Sequence, residues 1–128
     1  MPTFHALIID DDPTSLGVLG EMLTLEGVSY TKIQDPTTFS SIVAQESQID
    51  VVFLDLEMPT VNGYDIFKSI SLDGQISSVP IVAYSAYDNQ ASTAHQLGFH
   101  SFLKKPLDID KFPDQLRRIL RGEPVWSV

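Results

Sequence analysis

The apolar residues of this 128-residue chain occur in short runs, separated by segments in which they recur at helical spacing. One run, Val51–Leu54, consists of four apolar residues and ends in the carboxylate Asp55. Such a run is typical of a strand buried on both faces, as in the middle of a parallel sheet. Pro59 and the pair Asn62-Gly63 are turn residues, so the strand is predicted to end at Asp55.

The same alternation extends along the whole chain, where each of five predicted strands is followed by a segment with the spacing of an amphipathic helix. The predicted strands are Phe4–Ile9, Ser29–Ile33, Val51–Asp55, Ile81–Ser85 and Ser101–Leu103, and the helices follow Pro13, Pro36, the Asn62-Gly63 turn, Asp88 and Asp110. Five such units predict a single α/β domain in which helices cover both faces of a parallel sheet.

Some helix predictions are more detailed. Asp88 is predicted to begin the fourth helix, with Leu97 on its apolar face, and Gly74 to close the third. Trp126 follows the last helix, and the pattern does not decide whether it packs on the domain or frays.

Composition narrows the class of protein. The chain has 17 acidic and 8 basic residues, a formal charge of −9, which disfavours direct binding to nucleic acid or to an anionic membrane. The absence of cysteine excludes a disulfide scaffold, a thiolate nucleophile and a Cys-ligated metal. Neither a long apolar span nor a charged-then-apolar leader is found, so we expect a cytoplasmic domain.

Polar residues stand where the predicted strands end. Asp10 and Asp11 follow the first strand, Asp55 ends the third, Ser85 ends the fourth and Lys105 follows the fifth. Ligand crevices of open parallel sheets lie beyond the carboxyl ends of the strands. We therefore expect three carboxylates, one hydroxyl and one ammonium to lie close together.

Electrostatics then limits what this cluster can bind. Two carboxylates about 4 Å apart repel by ~4 kcal/mol at an effective dielectric constant near 20, so three of them need protons or a cation. Oxygen ligands without His or Cys suit Mg²⁺, which binds through one or two carboxylates and a phosphate oxygen. A lysine and a hydroxyl can contact further phosphate oxygens. The pattern predicts a phosphoryl site with Asp55 as nucleophile or host.

Four short motifs at the strand ends together resemble the receiver domain of two-component response regulators, over about residues 4–121. The motifs are Ile8–Pro13, Leu54–Pro59 with Gly63, Ser85-Ala86 and Lys105-Pro106. The resemblance implies a flavodoxin-like (βα)5 fold with strand order 2-1-3-4-5. It also implies a receiver domain over residues 1–122, followed by a short tail over residues 123–128.

The resemblance assigns roles to the acidic residues and the lysine. Asp55 would accept a phosphoryl group from the phosphohistidine of a sensor histidine kinase or a phosphotransfer protein. Asp11 would bind Mg²⁺ directly and Asp10 mainly through a water, with Asp55 and the backbone carbonyl of Glu57 completing the protein ligands. Lys105 would bind the phosphoryl oxygens, or Asp55 itself before phosphorylation.

The resemblance also implies a switch. Ser85 would move to hydrogen-bond the phosphoryl group, and Phe102 would turn inward into room left by the small Ala86. Phe102 has no hydroxyl, so it could signal only through packing. The bond between Lys105 and Pro106 is commonly cis in this family.

Two further residues and one region have predicted roles. Glu57 and Tyr87 lie beside the expected phosphoryl site, and we hypothesise that they modulate hydrolysis by charge and by shielding water. The region Ala91–Arg121 is the candidate surface for a downstream protein effector. Its arginines either complement the end of the last helix or belong to this docking surface.

Two alternatives compete with the phosphorylation switch, and the sequence disfavours a third, Ca²⁺ sensing by an EF-hand loop. A receiver fold can bind partners without phosphorylation, although the complete set of acidic, hydroxyl and lysine residues argues against this reading. A small Mg²⁺-dependent phosphatase with an aspartate nucleophile would expect a second Asp where Glu57 stands, and a cap for which the chain lacks room. An EF-hand loop starting at Asp10 would need Gly at Ser15 and is interrupted by Pro13. We expect a signalling switch rather than an enzyme, either free-standing or part of a longer protein.

Overall fold

The computed structural model describes residues 3–46, 48–59, 62–72 and 78–127. Within them, five strands alternate with five α-helices. These are β1 (His5–Ile9), α1 (Pro13–Leu25), β2 (Ser29–Ile33), α2 (Phe39–Gln45), β3 (Val51–Asp55), α3 (Gly63–Leu72), β4 (Ile81–Ser85), α4 (Gln90–Leu97), β5 (Ser101–Lys104) and α5 (Phe112–Leu120). All strand pairs are parallel, in the order β2-β1-β3-β4-β5, which confirms the predicted fold.

The continuous apolar runs reflect two cores, one on each face of the sheet. In β3, Val52 and Leu54 contact the core formed with α2, α3 and α4, whereas Val51 and Phe53 contact the core formed with α1 and α5. The side chains on both faces of β3 are therefore buried. This explains why β3 reads as an unbroken apolar run rather than an alternation.

The chain turns from β1 into α1 within a few residues, and Asp12 explains how. Its carboxylate accepts hydrogen bonds from the backbone N–H of Thr14 (3.1 Å) and from Ser15 Oγ (3.0 Å), and Pro13 occupies the first helical position. Because α1 begins so soon after β1, Asp10 and Asp11 lie at the carboxyl edge of the sheet.

The predicted start of the fourth helix at Asp88 is wrong, because α4 begins at Gln90. The Asp88 carboxylate does not cap the helix; it pairs with Lys104 at the end of β5, at 2.7 Å. The predicted apolar position of Leu97 is also wrong, since half of this side chain is exposed. At 3.6 residues per turn, Leu97 lies about 120° around the helix from the buried Ala91. The predicted helix end at Gly74 lies outside the described residues.

Trp126 packs on the domain, which the sequence left open. Residues Val125 and Ser127 form backbone hydrogen bonds with Phe102, of 2.8 and 2.9 Å, so that the segment runs parallel to the edge strand β5. Such pairing covers an otherwise open sheet edge. None of the helices in the described part of the chain has the length and apolar character needed to cross a membrane.

Candidate functional site

Three carboxylates meet at the carboxyl edge of the sheet, as predicted. Asp10 follows β1, Asp11 comes next, and Asp55 ends β3, the strand that pairs with β1. Each offers one oxygen, and these three oxygens lie within 4.8 Å of one another. Asp10 is fully buried and Asp55 is 2% exposed, whereas Asp11 is partly exposed. The cluster therefore concentrates negative charge where little solvent is available to screen it.

Lys105 lies between two of these carboxylates. Its Nζ atom is 3.2 Å from Asp10 Oδ2 and 3.3 Å from Asp55 Oδ1. The backbone N–H of Lys105 donates to the carbonyl oxygen of Ser85 (2.8 Å), which fixes the loop after β5 to the end of β4. The Lys105–Pro106 bond is cis, as the resemblance implies. One ammonium thus neutralises part, but not all, of the charge of the cluster.

Burial has a marked effect on Asp55. It raises the pKa of the Asp55 carboxyl to about 7, against hydrogen bonding by the Glu57 N–H and the charge of Lys105, which both lower it; the Asp10 carboxylate raises it further. At neutral pH a fraction of Asp55 is therefore protonated when no cation is bound. A divalent cation near the carboxylates favours the ionised form.

The chemistry of the donor set fits a hard metal ion. The three residues whose oxygens converge are all carboxylates, and the cluster contains neither His nor Cys. Mg²⁺ prefers oxygen ligands, binds through a small number of carboxylates and keeps several waters. Asp10, Asp11 and Asp55 therefore form an acidic cluster that could bind Mg²⁺.

The loops after β3 and β4 are joined by a side chain. Glu57 Oε1 accepts a hydrogen bond from the backbone N–H of Ala86 at 2.8 Å. The other carboxylate oxygen, Oε2, is buried and has no hydrogen-bond partner within the described residues. Ser85, the last residue of β4, is fully buried, and its Oγ accepts a hydrogen bond from the N–H of Tyr87 (3.0 Å). Tyr87 itself is 60% exposed.

Phe102 lies in the core between the sheet and α2 to α4, and is fully buried. In the sheet it pairs with Ala83 of β4, two residues before Ser85. Trp126 covers it from outside, with the two rings nearly parallel. The structure therefore clusters Asp10, Asp11 and Asp55, with Lys105 in contact with Asp10 and Asp55, Ser85 at the end of the neighbouring strand β4, and Phe102 in the core.

Sequence reasoning missed one residue of this site, Tyr84 of β4. Its hydroxyl donates a hydrogen bond to Asp10 Oδ2 at 2.6 Å, and Lys105 Nζ lies 4.5 Å from the centre of its ring. Burial, followed by the charge of Asp10, raises the pKa of the Tyr84 hydroxyl, so it remains a donor at neutral pH. The sequence does contain a signal for this residue, because Tyr84 stands one position before the predicted end of a buried strand. A buried Tyr hydroxyl usually requires a hydrogen-bond partner.

The fold and the site together define a doubly wound α/β domain with an acidic, lysine-containing centre at the carboxyl edge of its sheet. Residues 6–117 match the response regulator receiver domain family. The chain belongs to this family, which confirms the resemblance inferred from the motifs.

Two relatives and one solved structure illustrate the similarity. The chain is 27% identical to the protein PilH of Pseudomonas aeruginosa over 118 residues, which cover 91% of this chain and 97% of PilH. It is 28% identical to the regulatory protein VirG of Agrobacterium tumefaciens over 123 residues, 96% of this chain. The chemotaxis protein CheY4 of Vibrio cholerae superposes with a TM-score of 0.82 at 18% identity, covering 92% of this chain and 99% of CheY4.

These relatives differ in length. The match covers 46% of VirG, so this chain spans about half of that regulator. Receiver domains are signalling switches of two-component systems, and they interact with sensor kinases and with effector domains. They generally use Mg²⁺, which is consistent with the acidic cluster of Asp10, Asp11 and Asp55.

Proposed function

We propose that this chain is a phosphorylation switch in which Asp55 accepts a phosphoryl group from the phosphohistidine of a sensor histidine kinase or a phosphotransfer protein. The observation that carries the proposal is the position of Asp55. Its carboxylate lies at the carboxyl edge of the sheet, beside Asp10 and Asp11 and in contact with Lys105. This is the combination of a nucleophile with cation-binding groups that phosphoryl transfer needs.

Mg²⁺ would be held by Asp11 directly, by Asp10 mainly through a water, and by Asp55 and the backbone carbonyl of Glu57. When bound, the ion neutralises charge on the carboxylates and on the phosphoryl oxygens. The raised pKa of Asp55 supports this role of Mg²⁺. The Asp55 carboxylate must be ionised to attack phosphorus, and a nearby divalent cation favours the ionised form.

Asp55, Lys105 and Ser85 have distinct roles in the phosphoryl transfer. An oxygen of Asp55 forms a bond to phosphorus while the bond from phosphorus to the histidine nitrogen breaks, and the electron pair of that bond stays on the nitrogen. Lys105 moves its ammonium from the Asp55 carboxylate to a phosphoryl oxygen. Ser85, whose Oγ accepts from the Tyr87 N–H in this structure, turns its hydroxyl towards another phosphoryl oxygen and donates to it, a contact made only in the phosphorylated state.

The consequence of phosphorylation is a change of surface rather than turnover of a substrate. Ser85 and Ala86 move towards the phosphoryl group, and Phe102, which is already fully buried, rotates within the core into the space beside them. The region Ala91–Arg121 then presents an altered surface to a downstream protein effector. New contacts made only in the active arrangement set how far the population can shift. The chain catalyses only its own phosphorylation and dephosphorylation.

Glu57 and Tyr87 are proposed to set the lifetime of the phosphorylated state. Glu57 places a carboxylate on the Ala86 N–H, close to where a phosphoryl oxygen would bind, and the exposed Tyr87 ring can shield the group from water. The lifetime is measured for Glu57→Ala and Tyr87→Ala after removal of the phosphodonor. An unchanged lifetime in both variants would contradict this role.

The domain spans residues 1–122 and is followed by a short tail, residues 123–128, in which Val125 and Ser127 pair with Phe102. It acts in the cytoplasm, with protein partners and without direct binding to nucleic acid or membrane. VirG is named a regulatory protein, and GlrR of Escherichia coli, 33% identical over 108 residues, is named a transcriptional regulatory protein. If this chain is part of a longer regulator, its effector is an attached domain; otherwise it is a separate protein.

The decisive experiment is intact mass spectrometry after incubation with Mg²⁺ and acetyl phosphate. Wild type should gain one phosphoryl group, and neither Asp55→Ala nor wild type in EDTA should gain it. Ser78→Ala, which removes an exposed hydroxyl before β4, serves as a control that should be modified like wild type. If wild type stayed unmodified and also failed to bind beryllofluoride with Mg²⁺, a phosphorylation-independent interaction module would replace the proposal.

A further inference from the structure

Tyr84 is a buried phenol in a position that the apolar pattern of β4 does not explain. Its side chain is 2% exposed and belongs to the core between the sheet and α1 and α5. In the sheet it pairs with Asp55 on one side and Leu103 on the other. A purely apolar side chain would fill this core without bringing a hydroxyl to the acidic cluster.

The hydroxyl of Tyr84 completes the hydrogen bonding of Asp10. Asp10 Oδ1 accepts from the backbone N–H of Asp12 at 2.9 Å, and Oδ2 accepts from Tyr84 at 2.6 Å and from Lys105 at 3.2 Å. Asp10 is fully buried, so its carboxylate depends on these donors instead of on bulk water. Losing a hydrogen bond to a buried carboxylate leaves the remaining donors to compensate.

Lys105 is the donor that would compensate. Its ammonium lies almost equally far from Asp10 Oδ2 and Asp55 Oδ1, at 3.2 and 3.3 Å. The Tyr84 ring supports it from a third side, with Nζ 4.5 Å from the ring centre. Without the Tyr84 hydroxyl, the negative charge of Asp10 Oδ2 would be compensated by fewer hydrogen bonds. The Lys105 ammonium would then be drawn towards Asp10 and away from Asp55.

We propose that Tyr84 is a positioning residue for phosphoryl transfer to Asp55. By donating to Asp10, its hydroxyl leaves the Lys105 ammonium shared between the two carboxylates, within reach of a phosphoryl group on Asp55. Tyr84 acts through Asp10 and Lys105 and does not itself touch the phosphoryl group. This inference rests on the proposed phosphorylation of Asp55.

Tyr84→Phe removes the hydroxyl and keeps the ring under Lys105. Tyr30→Phe is the matched control, because Tyr30 is a partly buried tyrosine of β2 that packs on α1 at Gly20, outside the cluster. Two quantities are measured for each variant. One is the Mg²⁺ affinity without phosphodonor, followed by amide NMR shifts, and the other is the initial rate of phosphorylation by acetyl phosphate at saturating Mg²⁺.

Tyr84→Phe should affect the Mg²⁺ affinity and the rate of phosphorylation differently. Tyr84→Phe should bind Mg²⁺ at least as tightly as wild type, because the variant keeps all three carboxylates and the Lys105 ammonium moves away from Asp55. The rate at saturating Mg²⁺ should fall about tenfold because Lys105 is displaced. Tyr30→Phe should match wild type in both. A rate within twofold of wild type, or a loss of Mg²⁺ affinity as large as the loss of rate, would overturn the proposal.

Two further outcomes stay informative. If Tyr84→Phe does not fold, it is combined with Asp10→Asn, which removes the charge that the missing donor leaves unsatisfied. The double variant should then be phosphorylated as fast as Asp10→Asn alone, since Tyr84 acts through Asp10; a further loss would overturn the proposal. If wild type itself is not phosphorylated, the proposed function fails and this inference fails with it, whereas a normal wild type beside an unchanged Tyr84→Phe refutes only the inference.

Discussion

The indole ring of Trp126 lies nearly parallel to the ring of Phe102, with an interplanar angle of 3° and ring centroids 6.5 Å apart. The indole also lies beside the His95 ring of α4, with ring centroids 4.9 Å apart. The segment after α5 therefore covers the residue that the proposed switch has to move. Any rotation of Phe102 within the core must change the environment of the indole.

Trp126 should consequently report on the state of Asp55. It is the one tryptophan of the chain, so the fluorescence emission has a single source. Adding beryllofluoride and Mg²⁺ to wild type should change the intensity and shift the emission to longer wavelength, as the indole loses its packing on Phe102. Asp55→Asn is the control, in which the same addition should leave the spectrum unchanged.

A spectrum that stays constant while beryllofluoride binding is detected by NMR would contradict this coupling. The indole packing would then be independent of the switch. Phe102→Leu separates the two cases further, because it removes the stacked ring and should give the shifted emission before any addition.

The raised pKa of Asp55 makes a prediction about stability in metal-free protein. The pKa of this carboxyl is about 7 in the folded state, against an ordinary value of 3.8, so between these two values the folded state binds more protons than the unfolded one. The contribution of Asp55 to the free energy of unfolding should therefore fall as the pH rises from about 4 to 7 and level off above it. A tenfold change in the proton affinity of the carboxyl corresponds to about 1.4 kcal/mol.

Asp55→Asn tests this directly, because asparagine does not titrate. Urea unfolding in EDTA should show the variant to be more stable than wild type at pH 8 by up to about 4 kcal/mol, with the difference shrinking towards pH 4. Mg²⁺ should reduce the difference at pH 8, since it stabilises the acidic cluster of wild type. If the difference in the free energy of unfolding did not depend on pH, burial would not raise the pKa of the Asp55 carboxyl.

Two adjacent lysines of the chain allow the buried ion pairs to be compared with a surface one. Lys105 contacts Asp10 and Asp55 with a side chain that is 20% exposed, whereas Lys104 pairs with Asp88 and both side chains are largely exposed. Lys105→Met should lower the free energy of unfolding at pH 8 by about 2 kcal/mol, because two buried carboxylates lose their cation. Lys104→Met should lower it by less than about 1 kcal/mol.

The measurement is again urea unfolding, without Mg²⁺. Equal effects of the two variants would show that Lys105 does not neutralise the cluster. Addition of Mg²⁺ should restore part of the stability of Lys105→Met and leave Lys104→Met unchanged.

The sequence predicted the strands and the acidic cluster because both depend on local patterns. β2, β3 and β4 have the predicted bounds, since apolar runs and turn residues mark their ends. The convergence of Asp10, Asp11, Asp55 and Lys105 then follows from parallel pairing alone.

What the sequence missed depends on contacts between distant residues. The Tyr84 hydroxyl meets Asp10 across 74 positions, and Glu57 reaches the Ala86 N–H across 29. Trp126 is placed by pairing beside β5, which no periodicity of the sequence predicts. The predicted start of α4 was two residues too early, because Asp88 and Asn89 form a turn before the helix and the Asp88 carboxylate pairs with Lys104.

Gly63, the first residue of α3, shows how closely the chain packs beneath the site. A Cβ atom at this position would lie 2.9 Å from the carbonyl oxygen of Asp55 and 3.1 Å from Leu56 Cα, which are backbone atoms with little freedom to move. Gly63→Ala should lower the free energy of unfolding by about 1–3 kcal/mol, despite the better helix propensity of alanine. It should also slow phosphorylation by acetyl phosphate, since the end of β3 has to shift.

Gly17→Ala is the matched control, because Gly17 lies within α1 and a Cβ atom there would meet nothing within 4 Å. Alanine at this position should raise the stability by about 0.5–1 kcal/mol through helix propensity alone, with an unchanged rate of phosphorylation. Urea unfolding and intact mass spectrometry on both variants make the comparison. If Gly63→Ala were as stable and as rapidly phosphorylated as Gly17→Ala, the close approach of α3 to Asp55 would not constrain the phosphoacceptor.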